Sequence, residues 1–211
     1  MRSASGHVHL LTAIAVAATA FAASPLPVSA QRAEIPIVIE TEAGTIEAVL
    51  DSARAPITVT NFLRYVDAKL FDDARFFRAV RMDNQPNDSV KIEVIQAARG
   101  RASETATPDF PPIPLERTSV TGIRHLNGTL SMARSGPDSG TSSFSIVIND
   151  QPSMDFGGHR NPDGQGFAAF GRVTGGMDVA RRIQSGEVQA QRLVTPVRII
   201  RIARRPPTAP Q

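Results

Sequence analysis

The sequence holds no cysteine, no tryptophan and one tyrosine. Without cysteine there is no disulfide framework, no thiolate zinc site, no cysteine nucleophile and no lipid-modified N-terminal cysteine. Lysine is nearly missing as well, with Lys69 and Lys91 the only two. Almost all positive charge is therefore arginine, and the pI of about 10.1 accompanies a formal net charge of only +3. The arginines lie singly, with short pairs at Arg181-Arg182 and Arg204-Arg205, and aromatic residues make up 5%. A nucleic-acid surface concentrates basic and aromatic side chains together, so no nucleic-acid partner is expected. After residue 30 only His125 and His159 remain. They are too few and too far apart for a zinc motif and are read as surface or loop histidines.

No apolar run reaches spanning length. The longest, residues 10–23, has the size of a secretory h-region and follows Arg2. Pro25 and Pro27 break any helix there, and Val28-Ser29-Ala30 places small residues where a signal peptidase reads. Residues 1–30 are therefore expected to be a signal peptide cleaved after Ala30. The mature protein is expected to be periplasmic or secreted, without stable membrane insertion, and monomeric.

From residue 35 onward the pattern changes to short strands. Residues 35–41 and 45–50 are rich in β-branched side chains and flank Glu42-Ala43-Gly44, which predicts a hairpin. Val59, Phe62, Leu63 and Val66 fall at helical spacing within 56–68, with Thr58 as the expected N-cap. Further strands are expected at 75–80, 91–96, 128–134, 144–148, 167–173 and 194–203, and a second helix at 177–185 after Gly175-Gly176. Residues 81–89 and 99–114 carry loop chemistry, the turn at 161–166 lacks the spaced acids of a calcium loop, and 204–211 reads as a disordered tail. The fold class is mainly β, a closed eight-stranded antiparallel barrel capped by two α-helices.

Three segments are more specific. They are Arg75-Phe76-Phe77-Arg78-Ala79-Val80, the run Gly-Thr-Leu-Ser-Met-Ala-Arg at 128–134 leading to Phe144, and Phe-Gly-Arg-Val-Thr-Gly-Gly-Met-Asp-Val at 170–179. In sequence, order and spacing they resemble the cyclophilin family of peptidyl-prolyl isomerases, with Asn61-Phe62 in support, over about residues 35–203, which places the expected domain at 31–203. The resemblance implies a cyclophilin-like barrel acting on proline-containing peptides or unfolded exported proteins, with no cofactor. By carry-over, Arg78 stands at the family's catalytic arginine. Val94, Ala133, Met154 and Phe167 stand at its proline slot and the neighbouring pocket, and Gln96 at a glutamine that binds peptide backbone.

There are departures too. Phe77 stands where histidine is usual, Glu93 where phenylalanine is, and Arg134 where asparagine is common. Ser143 and Ser145 replace a glutamine and a pocket phenylalanine, and Ser153 stands where many members carry tryptophan. Phe77, Arg134, Ser143 and Ser145 complete the expected substrate-binding set. These departures leave a second reading open, a binding module that captures proline-containing segments with little turnover.

Overall fold

The computed structural model describes residues 34–99 and 109–205 together with Met1. The expected signal peptide, most of the 99–114 loop and residues 206–211 lie outside the described residues. Nine strands are described: β1 (Glu34–Thr41), β2 (Gly44–Asp51), β3 (Arg75–Val80), β4 (Val94–Ala98), β5 (Thr129–Met132), β6 (Phe144–Val147), β7 (Ala168–Gly175), β8 (Val188–Gln189) and β9 (Arg192–Arg204). Pairing runs β1-β2-β7-β5-β6-β4-β3-β9, and β9 returns to β1. Eight antiparallel strands thus close on themselves and leave no open edge in the ring. The ninth, β8, pairs only with the start of β9.

Period-two alternation decides what enters the barrel. Ile37 and Ile39 of β1 and Ile46, Ala48 and Leu50 of β2 are buried, while their neighbours are less so. Their hairpin is held at its tip, where the Thr41 hydroxyl donates to the Gly44 carbonyl at 2.7 Å. On β4 and β6 the pattern differs, because both faces are covered. Ile95, Ala97, Phe144 and Ile146 join the barrel core, whereas Val94 and Val147 join a second, smaller apolar cluster. That second cluster marks the functional face.

Helix α1 (Pro56–Asp67) buries Val59, Phe62, Leu63 and Val66, the predicted stripe. Its start differs from expectation. Ala55 is the N-cap, Pro56 opens the helix, and Thr58 lies buried in the first turn with no partner for its hydroxyl among the described residues. Proline suits this position because its fixed φ matches the first turn and its missing N–H is not needed there. Glu116, far along the chain, does the capping instead. Its carboxylate accepts from the N–H groups of Ile57 (3.0 Å) and Thr58 (2.7 Å), where a negative charge also complements the helix dipole.

Phe62 is the hub of the core, with ring centroids 5.0 Å from Phe71, 5.3 Å from Phe144 and 5.2 Å from Phe170. A short α2 (Thr118–Thr121), absent from the sequence reading, precedes β5. Helix α3 (Met177–Gln184) buries Val179, Ala180 and Ile183. It can sit this close because Gly176, at φ 82°, has no side chain; a Cβ there would lie 2.3 Å from the Thr45 carbonyl oxygen. Among the described residues no helix is long and apolar enough to cross a membrane.

Two strand boundaries depart from expectation for a visible reason. β4 begins at Val94 rather than Lys91, because the backbone of Ile92 pairs with a side chain instead of a strand. Gln85, 1% exposed, accepts from the Ile92 N–H at 3.1 Å and donates to the Ile92 carbonyl at 2.7 Å. β9 runs on through Arg204, whose guanidinium binds Asp67 at 2.6 and 2.9 Å, and the Arg205 N–H donates to the Pro36 carbonyl at 2.8 Å. The first two residues of the expected tail are therefore part of the barrel.

Candidate active site

Strict alternation would put Arg78 on the same face as Phe76, inside the barrel. It does not, because a bulge intervenes. Phe76 pairs with Ala97 while Arg78 pairs with Gln96, so one extra residue, Phe77, sits on β3. Phe76 then fills the core at 0% exposure and Arg78 turns to the outer face.

There Arg78 lines a cleft of about 190 Å³ with Ile92, Val94, Met154 and Phe167. Val94 and Met154 are 3% and 2% exposed, so the slot beside the guanidinium is apolar. The guanidinium is held on two sides. Nη1 donates to Gln96 Oε1 at 3.0 Å, and Nε donates to Gln191 Oε1 at 2.9 Å, with Nη2 also on Gln191. Gln96 is itself fixed, donating to the Ser143 hydroxyl at 3.0 Å, which in turn donates to the Ala97 carbonyl at 2.9 Å.

Of the residues expected from sequence, Arg78, Val94, Gln96, Ala133, Arg134, Ser145, Met154 and Phe167 are brought together around this cleft. Ser143 is not in its lining and supports Gln96 from behind. Phe77 is also outside the lining; the bulge takes it out of register, and its ring lies under the Arg192 guanidinium at 5.4 Å. Glu93 is turned away, accepting from Asn149 Nδ2 at 2.8 Å in an exposed setting. Ile92 beside it lines the slot instead. The sequence reading missed Ile92, Ser131, Arg160 and Gln191. For Ile92 a signal existed, since Ile92, Val94 and Gln96 are spaced two apart in sequence and would share one face of the strand expected at 91–96.

The wall that carries Phe167 is built by arginine. Arg134, its side chain 3% exposed, lies over the Phe167 ring at 5.4 Å. Its Nε donates to the Gly166 carbonyl at 2.7 Å and its two terminal nitrogens bind Asp163, each at 2.8 Å. This pairing holds the Asp163 carboxyl down at about 2, with an added hydrogen bond from the Gln165 N–H. Gly166 (φ 65°) lets the turn pass under Asp155; a Cβ would lie 2.5 Å from the Asp155 carbonyl carbon. Arg160, also on the cleft, donates to the Val90 carbonyl at 2.8 Å and pairs with Asp88 at 3.0 Å.

His125 is no surface histidine, which corrects the sequence reading. It is 1% exposed, with Nδ1 2.7 Å from Asp155 Oδ1 and Nε2 2.9 Å from the Ser131 hydroxyl. Asp155 also accepts the His125 backbone N–H at 3.0 Å. Burial pushes the Asp155 carboxyl up, but these bonds, with Arg124 beside them, outweigh it and hold it below its ordinary range. Since Ser131 lines the cleft, the network ties the cleft floor on β5 to the segment that follows Met154.

Comparison with known proteins decides the family. The model of the cyclophilin type peptidyl-prolyl cis-trans isomerase family matches residues 36–204, nearly the whole barrel. The chain is a cyclophilin. Peptidyl-prolyl cis-trans isomerase A of Dickeya dadantii is 32% identical over 154 residues, 72% of this chain and 73% of that protein. The cyp18 isomerase of Streptomyces antibioticus is 32% identical over 161 residues, covering 74% and 87%. Peptidyl-prolyl cis-trans isomerase B of Escherichia coli is 28% identical over 149 residues, covering 70% and 83%. Among solved structures, a Cryptosporidium parvum cyclophilin superposes with a TM-score of 0.66 at 15% identity, over 81% of this chain and 99% of its own. This cyclophilin is thus a peptidyl-prolyl cis-trans isomerase on a closed antiparallel barrel.

Proposed function

We propose that this cyclophilin turns prolyl bonds by holding the Arg78 guanidinium beside the twisted amide, and that its clients are exported proteins. An X-Pro bond resists rotation by about 20 kcal/mol because the nitrogen lone pair conjugates with the carbonyl. Twisting breaks that conjugation and leaves a basic lone pair on the prolyl nitrogen. A fixed cationic donor stabilises the twisted form more than the planar one, which is the condition for acceleration. No nucleophile or cofactor enters this chemistry.

The observation that carries the reading is the position of Arg78, fixed between the amide oxygens of Gln96 and Gln191 beside the slot of Val94, Met154 and Phe167. In this reading the pyrrolidine ring enters the slot, Ala133 and Ser145 flank it, and Gln96, braced by Ser143, meets the peptide backbone. Arg134 acts as a wall, because its Nε and both terminal nitrogens already bind Gly166 and Asp163. One departure from the family pattern loses its force here. Glu93 leaves the cleft and Ile92 supplies apolar contact, so turnover is favoured over capture alone. The Cryptosporidium relative was solved in the presence of the dipeptide Ala-Pro, which supports a proline-containing ligand.

Export rests on residues 1–30 of the sequence. When the full chain is expressed in a Gram-negative host, the mature protein is expected in the periplasmic fraction with Gln31 at its N-terminus. Retention in the cytoplasm with Met1 and Arg2 still present would contradict it.

A further inference from the structure

Arg78 is held from one side by a residue that no motif in the sequence marks. Gln191 sits on the two-residue turn between β8 and β9, where Gln189 pairs with Arg192. It is 113 residues from Arg78 in sequence. Ala190, the other turn residue, adopts φ 57°, a left-handed conformation that favours glycine and costs an alanine energy. The turn is anchored to β3 by the Ala79 N–H, which donates to the Gln191 carbonyl at 2.9 Å.

From this turn the Gln191 side chain faces two ways. Its Oε1 takes the Nε and Nη2 edge of the Arg78 guanidinium, the edge that a bidentate partner normally grips. Its Nε2 donates to the Asn84 carbonyl at 3.3 Å, on the loop that follows β3. Asn84 is fixed in turn, donating to the Ala79 carbonyl at 2.9 Å and accepting the Arg81 N–H at 2.8 Å. The amide orientation is therefore set by both ends. Its oxygen must face the guanidinium, because its nitrogen faces a carbonyl.

Geometrically, this is a clamp. Gln96 fixes one terminal nitrogen of the guanidinium. Gln191 fixes the opposite edge and with it the plane. A neutral amide also does so without adding a negative charge, which a glutamate at 191 would bring against the cation.

We propose that Gln191 is a positioning residue for prolyl isomerisation, presenting the Arg78 guanidinium to the substrate amide. The proposal rests on the arginine reading above. The test uses the chain from Gln31, with Gln191→Ala, Arg78→Ala and the double variant. Kinetics are measured on a short Ala-Pro peptide, beside ¹⁵N relaxation of the Arg78 Nε–Hε group. Gln191→Ala is expected to lower kcat about tenfold, the scale of a lost hydrogen bond to a charged group, with KM within about twofold. The Nε–Hε order parameter should fall, and the second substitution should add nothing once Arg78 is gone. Gln191→Glu is expected to keep the Nε–Hε order but still lose rate. Loss of rate in Arg78→Ala with none in Gln191→Ala would overturn the clamp alone. No loss in either would overturn the arginine reading and the clamp with it. An equal loss on adding Gln191→Ala to Arg78→Ala would show that Gln191 acts elsewhere.

Discussion

Arg78→Ala is expected to lower kcat/KM for prolyl isomerisation by about 10²–10³-fold, the cost of removing one fixed donor from a transition-state site. At about 1.4 kcal/mol per decade, that is roughly 3–4 kcal/mol off a barrier near 20. The fold should survive. Arg78 stands on the outer face of β3, away from the barrel core, and its removal leaves Gln96 and Gln191 partly exposed, so the stability change should stay near about 1 kcal/mol. Arg78→Lys separates charge from geometry. An ammonium keeps the positive charge but has no planar fork to engage both Gln96 and Gln191, so it should recover only part of the rate. If the lysine variant were fully active, charge alone would suffice and the held plane would be irrelevant. A peptide assay with purified variants, each matched by a thermal melt, reads both quantities.

Phe62→Ala is expected to give the largest loss of stability, about 3–5 kcal/mol. Phe62 is fully buried and meets Phe71, Phe144 and Phe170 at once, so no neighbour can fill the space without losing its own packing. Against a total of about 5–15 kcal/mol this is a large fraction, and for a domain of this size it lowers Tm by about 6–20 °C. Phe156→Ala is the control. That ring is 45% exposed, and its loss should stay within about 0.5 kcal/mol. The core reaches the cleft directly, because Phe144 lies on β6 between Ser143, which braces Gln96, and Ser145, which lines the slot. Chemical denaturation of both variants decides the matter; a cost below about 1 kcal/mol for Phe62→Ala would show that the aromatic hub is not where the core is held.

What could be read in the sequence follows from how local each cause is. The β1–β2 hairpin and the buried stripe of α1 come from periodicity within a dozen residues, and they appear where expected. Arg78 and its apolar neighbours came from motif resemblance, and the structure gathers most of them around one cleft. Glu93 shows the limit of that route, because register by motif pointed at position 93 while strand alternation pointed at Ile92. Gln85 settles it, pairing with the backbone of Ile92 from within the preceding loop. The bulge at Phe77 left no trace in residue types, yet it turns Arg78 outward. Long-range polar pairs were the least visible. His125 looked like a loop histidine because Asp155 and Ser131 enclose it only after β5 is in place. Gln191 sits in an ordinary polar turn, and only the closure of β9 against β3 brings it to Arg78.

The most direct measurement is a crystal structure of this cyclophilin with an Ala-Pro peptide bound. The pyrrolidine ring should rest against Val94, Met154 and Phe167, with an Arg78 guanidinium nitrogen about 2.7–3.2 Å from the prolyl nitrogen or the carbonyl beside it. A ring seated in that slot with Arg78 turned to solvent, or a peptide bound elsewhere on the barrel, would contradict the account.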